Sequence, residues 1–146
     1  MEYTQNIEEY KNKWFNFVKY EPHSGQKKLH FPPNGVYNSN NNPDGTRYTV
    51  VSAGRRFGKS FSAAREIEIQ LCIPNSVCWI IAPNYATSSK IFEFVYAELV
   101  IQKGYKPSRY SAKDQYLEFD WNGGRSVLEG KSAEFPNSMI GEGVSL

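Results

Sequence analysis

The chain has 146 residues, of which 40% are hydrophobic and 22% are charged. That length suits one domain or one piece of a larger protein, and the apolar fraction excludes disorder of the whole chain. The longest apolar runs, near residues 77–83 and 91–101, fall short of the roughly 20 residues that a membrane span requires. The 17 basic and 15 acidic residues leave a net charge of +2, which by itself indicates neither a nucleic-acid nor a membrane partner.

The first 46 residues predict a helix followed by irregular chain. Between residues 5 and 20, apolar side chains recur at helical spacing and form one stripe: Ile7, Tyr10, Trp14, Phe17 and Val18. Residues 21–46 are rich in proline, glycine and asparagine, which is typical of an exposed connection. We therefore expect residues 1–46 to form an N-terminal helix and a ligand-contacting loop segment, and residues 47–146 to form the core.

From residue 47 the pattern changes to alternating strands and helices. Tyr48–Ser52 is β-branched and apolar, which predicts a buried strand, and Lys59–Cys72 has the spacing of an amphipathic helix. A second apolar strand is predicted over Val77–Ala82, and a second helix runs from a Thr87 cap to about Lys103, where Gly104 ends it. Strand, helix, strand and helix in this order favour right-handed crossovers and a parallel sheet.

The last third of the chain carries a hairpin pattern. Tyr116–Trp121 and Arg125–Glu129 are short strand-like runs on either side of Asn122-Gly-Gly124, and Val144–Leu146 begins another apolar run. The predicted fold class is α/β: an incomplete, mostly parallel sheet with flanking helices, of the type that carries a phosphate-binding loop, with a β-hairpin insertion near the C-terminus.

The most informative segment is Val50–Ser60. A phosphate-binding loop needs a strand, a glycine-containing turn whose N–H groups face the anion, and a helix that begins at once. Gly54 and Gly58 bound the turn, and Lys59 begins the helix, from which its ammonium could reach the β- and γ-phosphates. The Ser60 hydroxyl stands where a Mg²⁺ ligand is needed. The match to G-x-x-x-x-G-K-[ST] is imperfect, because Ala53 occupies the first glycine position.

Further candidate ligand contacts lie within this loop and before it. Arg55, Arg56 and Phe57 fall between the two glycines, where a guanidinium could neutralise charge on a departing γ-phosphate. Gln26 offers an amide that could hydrogen-bond the edges of adenine. The segment Ala82–Thr87 follows the second strand, at the edge of the sheet where ligands of such folds gather.

From about Tyr20 to Leu146 the sequence resembles the ATPase domain of the large terminase subunit of tailed bacteriophages, the motor that packages DNA into the capsid. The segments that carry the resemblance are Pro22-His-Ser-Gly-Gln26, Gly54-Arg-Arg-Phe-Gly-Lys-Ser60, Trp79-Ile-Ile-Ala-Pro-Asn-Tyr85, the 117–125 hairpin and residues 132–143. The form Arg-Arg-Phe-Gly-Lys-Ser is the most specific of them, because few other loops of this type carry arginine there.

The resemblance implies ATP and Mg²⁺ as cofactors, with Lys59 and Ser60 at the phosphates, Gln26 at adenine, and Arg55 sensing the γ-phosphate. It implies double-stranded viral DNA, the portal protein and the small terminase subunit as partners. It also implies a ring of identical subunits in the intact protein, and a location in the host cytoplasm and transiently at the capsid portal. Ile140 stands where many terminases carry an arginine thought to act on the neighbouring subunit's ATP.

In terminases an apolar strand ending in Asp-Glu follows soon after the segment that matches residues 141–143. The present sequence contains no Asp-Glu pair. We therefore expect an N-terminal fragment of a terminase large subunit that binds nucleotide with little or no turnover. Two alternatives remain: a superfamily-two helicase-like ATPase, and a non-enzymatic remnant of a phosphate-binding fold.

Overall fold

The computed structural model describes residues 6–39, 41–141 and 143–146, so positions 5, 40 and 142 of the predicted segments lie outside the described residues. The helices are α1 (Ile7–Phe17), α2 (Ser24–His30), α3 (Lys59–Leu71) and α4 (Tyr85–Tyr96), with a π-helical turn at Ala97–Gln102 and a 3₁₀ turn at Pro136–Met139. The strands are β1 (Val77–Ala82), β2 (Arg109–Ser111), β3 (Tyr116–Trp121) and β4 (Gly124–Ser132). The chain divides into two compact units, with the boundary between Ser62 and Ala63. None of the described helices is long and apolar enough to cross a membrane.

The first unit contains the predicted N-terminal helix, which is confirmed as α1. Asn6 caps it by accepting hydrogen bonds from the N–H groups of Glu8 and Glu9. Trp14 of the predicted apolar stripe is buried, but Phe17 is 50% exposed, and Phe15, which lies outside that stripe, is buried. The prediction that residues 21–46 are loop throughout is wrong, since α2 lies within them. Its start was hidden because histidine is not among the usual capping residues and Gly25 is a weak helix former.

An aromatic cluster forms the core of the first unit. The ring of Phe15 packs edge-on against Tyr20, His30 and Phe31, at centroid distances of 5.0, 4.7 and 6.1 Å. The Tyr20 hydroxyl and Nε2 of His30 are hydrogen-bonded at 3.1 Å, and Nζ of Lys11 donates to the His30 carbonyl at 2.9 Å. Because His30 is fully buried, these contacts tie α1 and α2 together at the end of α2.

The buried strand predicted over Tyr48–Ser52 is wrong. In the described residues this stretch forms no strand, and the side chains of Tyr48 and Val50 are 82% and 95% exposed. The β-branched residues favour an extended backbone. A strand also requires a neighbouring strand with which to form backbone hydrogen bonds. No described strand supplies that partner.

The second unit is built on a four-stranded sheet in the order β1-β4-β3-β2. β1 runs parallel to β4, while β4 with β3 and β3 with β2 are antiparallel. The predicted hairpin is confirmed: Trp121 pairs with Gly124, so Asn122 and Gly123 form a two-residue turn of the composition that tight hairpins favour. The predicted α/β class, its flanking helices and the hairpin near the C-terminus are therefore confirmed. Of the sheet that was expected to be mostly parallel, the β1–β4 pair is parallel and the two pairings of the hairpin and β2 are antiparallel.

One face of this sheet packs against α4 and forms the core of the second unit. The strands contribute the buried residues Cys78, Ile80, Leu117, Phe119 and Leu128. The helix α4 contributes Phe92 and Val95, and the π-helical turn after it contributes Leu99. The helix expected to begin at Thr87 begins at Tyr85, because Asn84 is its cap and accepts from both N–H and Oγ1 of Thr87. Gly104, at φ +71°, follows its π-helical extension as predicted.

The final residues of the chain lie along the edge of β1. The N–H of Ser145 donates to the Val77 carbonyl at 2.6 Å, and the N–H of Trp79 donates to the Leu146 carbonyl at 2.8 Å. The apolar run at Val144–Leu146 predicted the start of a strand; the structure assigns no strand there, but these backbone bonds place the segment beside β1.

Candidate nucleotide-binding site

The loop between Ala53 and Lys59 turns sharply before α3. Its backbone adopts the left-handed region twice, at Arg56 (φ +65°) and at Gly58 (φ +88°). The first hydrogen bond of the following helix runs from the N–H of Ser62 to the carbonyl of Gly58 at 2.9 Å. The predicted order of a tight turn followed at once by a helix is therefore present, although the strand expected before it is not.

The start of α3 presents free backbone donors. Within the part of the chain that the structure describes, the N–H groups of Gly58, Lys59 and Ser60 have no protein acceptor. Successive unpaired N–H groups at the beginning of a helix, reinforced by the helix dipole, form an anion-binding arrangement. These three N–H groups are donors available to an anion that enters the loop.

The ammonium group of Lys59 lies over the same loop. Its Nζ donates to the carbonyl oxygens of Ala53 at 2.5 Å and Gly54 at 2.9 Å. The long side chain therefore bends back across the turn while remaining exposed to solvent. A phosphate that enters the loop would meet this ammonium group already in place. The ammonium group would then exchange its neutral carbonyl partners for a charged phosphate oxygen.

The other predicted loop residues are accessible. Arg55, Arg56 and Ser60 are exposed, and Phe57 is half-buried. Gly54 has open space on the side where a Cβ would stand, whereas a Cβ on Gly58 would lie 2.5 Å from Nε2 of Gln26. The structure brings these residues into one loop, and their individual roles toward a nucleotide stay predictions.

Gln26 lies beside this loop, within the first unit. Its side chain is 6% exposed, and its Oε1 accepts a hydrogen bond from the backbone N–H of His23 at 3.1 Å. That bond is half of a capping box, in which the His23 side chain in turn accepts from the N–H of Gln26. A contact with adenine, predicted for this amide, would use its remaining hydrogen-bonding capacity.

His23 is the site residue that the sequence did not single out. Its Nε2 is hydrogen-bonded to the backbone carbonyl of Phe57 at 2.9 Å, and its ring packs edge-on against the Phe57 ring at a centroid distance of 4.8 Å. The only signal in the sequence was its place three residues before Gln26, where a helix cap belongs. His23 therefore links α2 to the middle of the loop at residues 53–60.

Comparison with solved structures gives two matches to one protein. The ATPase domain of the large terminase of Thermus phage P74-26 matches at 26% identity and a TM-score of 0.67, over 91% of this chain and 54% of that chain. A mutant of the same domain matches with a TM-score of 0.66. The resemblance to the terminase ATPase domain is confirmed. The chain spans about half the length of the terminase chains that it matches, and neither a protein-family model nor a curated protein matches it.

In the second unit, the terminase-like segment Ala82–Thr87 forms the turn from β1 into α4. Two side-chain hydrogen bonds hold this turn in addition to the Asn84 cap. Nε2 of Gln115 donates to the Tyr85 carbonyl at 2.7 Å. Oγ of Ser132 donates to the Pro83 carbonyl at 3.2 Å. These bonds join the turn to the loop before β3 and to the end of β4. They fix the backbone at the carboxyl end of β1.

Ile140, the residue at the arginine position of many terminases, follows the 3₁₀ turn Pro136–Met139. Its side chain is 75% exposed, and Gly141 beside it adopts φ +87°. An apolar side chain at this exposed position offers no charge to a neighbouring phosphate.

Two side chains on β3, those of Tyr116 and Glu118, have shifted pKa values. Burial, and then the hydrogen bond that its hydroxyl donates to Glu118 at 2.5 Å, raise the pKa of Tyr116 to about 12. The same hydrogen bond holds the pKa of the Glu118 carboxyl below its usual value. Arg109 lies over the Tyr116 ring at 4.9 Å, so these groups form a polar cluster that stabilises the sheet surface.

Proposed function

We propose that this chain binds ATP through the loop at residues 53–60 and forms the ATP-binding part of a phage DNA-packaging motor. The observation that carries the proposal is the Lys59 ammonium held over a left-handed turn whose helix start has unpaired N–H groups. Those N–H groups would surround the α- and β-phosphates while Lys59 reaches the β- and γ-phosphates.

The remaining roles follow from position in the loop. Ser60 would hold Mg²⁺ through its exposed hydroxyl, and the metal would neutralise charge shared by the β- and γ-phosphates. Arg55, which is exposed at the rim of the turn, would contact the γ-phosphate. Gln26 would contact adenine, while Arg56 and Phe57 would shape the loop around the phosphates. We propose little or no turnover for residues 1–146, because the sequence contains no Asp-Glu pair to activate water.

The terminase-like fold over 91% of the chain supports a packaging context. We propose that the intact protein acts on double-stranded viral DNA, together with the portal protein and the small terminase subunit, as a ring of identical subunits. It would do so in the host cytoplasm and transiently at the capsid portal. With Ile140 at the arginine position, contact with a neighbouring subunit's ATP would need a different residue.

Calorimetric titration with MgATP tests the nucleotide site directly. We expect Lys59→Ala to weaken binding at least tenfold, because a hydrogen bond to a charged group contributes about 1.5–3 kcal/mol. Lys28→Ala is the matched control, since it removes an exposed lysine from α2 in the same unit. Equal affinity of Lys59→Ala and the parent chain would show that the loop assignment is wrong. Absence of binding by the parent chain would favour the non-enzymatic remnant.

The helicase-like alternative needs a separate assay. ATP hydrolysis by a longer form of the protein should respond to prohead and portal if the motor is a terminase. Stimulation by single-stranded nucleic acid, together with strand separation, would favour the helicase instead.

A further inference from the structure

We propose that His23 is a positioning residue for the nucleotide site, which turns the Phe57–Gly58 peptide so that the Gly58 N–H faces the β-phosphate. This inference rests on the proposed function, because it assigns the phosphate-facing donor of the same loop. The contacts on which it depends all lie within the first unit.

The hydrogen bonds of the imidazole ring assign its tautomer. Nδ1 of His23 accepts from the backbone N–H groups of Gly25 at 3.1 Å and Gln26 at 3.4 Å. A nitrogen that accepts from two N–H groups carries no hydrogen itself, so in the neutral ring the proton is on Nε2. Nε2 therefore donates to the Phe57 carbonyl at 2.9 Å. One ring thus caps α2 with one nitrogen and holds the loop with the other.

The orientation of the Phe57 carbonyl determines the direction of the next N–H. No peptide bond in the described chain is cis, and in a planar trans peptide the C=O and the following N–H point in opposite directions. Because the Phe57 carbonyl points to His23, the Gly58 N–H points away from α2. That N–H has no protein acceptor among the described residues, which leaves it free for a phosphate oxygen.

Close packing holds this arrangement. A Cβ on Gly25 would lie 2.7 Å from two carbons of the Phe57 ring and 3.1 Å from Cε1 of His23. The ring of Phe57 therefore fits against α2 only because residue 25 is glycine. The Gln26 amide also packs close to Gly58, where a Cβ would lie 2.5 Å from its Nε2.

Two substitutions separate the two roles of the ring. Asn in place of His carries an acceptor near the position of Nδ1 and is a good N-cap, yet it is too short to reach Phe57. Gln carries a donor near the position of Nε2 and is a poorer cap. We expect His23→Asn to keep the melting temperature and to weaken both MgADP and MgATP about tenfold. His23→Gln should lower the melting temperature and bind both nucleotides within about twofold of the parent chain.

Calorimetry with MgADP and MgATP, thermal melting and the amide NMR resonance of Gly58 measure these effects. In the parent chain the Gly58 amide proton should shift downfield when MgADP binds, and this shift should shrink in His23→Asn but persist in His23→Gln. Parent-like nucleotide affinity in His23→Asn, while Lys59→Ala is weakened, would overturn the inference and leave the proposed function intact. Affinity losses that simply follow the melting temperatures of both variants would also overturn it. Failure of the parent chain to bind either nucleotide would instead refute the proposed function.

Discussion

The two glycines of the loop at residues 53–60 should respond very differently to substitution by alanine. Gly58 has φ +88°, and a Cβ there would lie 2.5 Å from Nε2 of Gln26. Gly54 is exposed, has no positive φ, and meets nothing within 4 Å of a Cβ. The pair therefore provides a matched comparison, in which the same chemical change is made at two ends of one loop.

The structure gives the size of the expected difference. An alanine in the left-handed region costs about 1–2 kcal/mol, and forcing a methyl group into a filled space costs a further 1–3 kcal/mol or so. We expect Gly58→Ala to lower the free energy of unfolding by about 2–5 kcal/mol. Gly54→Ala should change it by no more than about 0.5 kcal/mol, as at other exposed positions without special backbone geometry.

Urea denaturation of the parent chain and both variants measures these free energies. A third variant, Gly58→Ala combined with Gln26→Ala, divides the cost, because it relieves the contact with the amide but keeps the positive φ. Because Gln26→Ala by itself removes the bond to the His23 N–H, the double variant is compared with Gln26→Ala alone. Against that reference the added Gly58→Ala change should cost only about 1–2 kcal/mol. Equal stability of Gly58→Ala and Gly54→Ala would show that the left-handed turn and the Gln26 contact are not features of the folded protein.

Further predictions concern the core and the hairpin. Burial raises the pKa of the Cys78 thiol to about 12. At pH 8 a thiol reagent should therefore modify the partly exposed Cys72 and should react with Cys78 only after denaturant is added. Rapid reaction of two thiols in the folded protein would contradict this. Because the pKa of Tyr116 is raised to about 12, its stabilising effect should be complete below pH 10 and lost as the pH rises toward 12. Absorbance titration of Tyr116→Phe should therefore lack one late-ionising tyrosine. Tyr20→Phe removes the hydroxyl bonded to His30 and should cost about 1–3 kcal/mol in urea denaturation, since it leaves a buried ring nitrogen without that partner.

Elements whose signals are local could be predicted from the sequence. β1 was bounded correctly at Val77 and Ala82, because a continuous apolar run followed by proline is typical of a buried strand. The hairpin was found because Asn122-Gly123 is the composition that a two-residue turn demands, with apolar alternation on both sides. The end of the second helical segment at Gly104 follows from the left-handed backbone there, which glycine adopts most easily.

Elements that depend on contacts with distant parts of the chain could not be predicted from the sequence. Tyr48–Ser52 has strand propensity, but a strand is defined by hydrogen bonds to a neighbour that the local sequence does not reveal. The helix α2 depends on a histidine cap and on a ring from residue 57 packed against Gly25, and neither leaves a periodic pattern in seven residues. The candidate site divides in the same way. The spacing predicts residues 54–60, whereas it gives no sign of the contact between Phe57 and His23, 34 residues earlier in the chain.

The imperfect loop motif has a physical explanation in this structure. Of the two glycine positions in the general pattern, the first is Ala53, which is absent from the residues with positive φ and contributes only its carbonyl to the Lys59 ammonium. Any residue can supply a carbonyl, so an alanine there costs nothing. The second position, Gly58, has both a left-handed backbone and a crowded Cα, and there the chain keeps glycine. Arg56 also adopts φ +65°, a conformation that a non-glycine residue holds at some cost. The loop therefore has glycine at the position where a positive φ and close packing coincide, and the departure from the motif falls where the backbone requires neither.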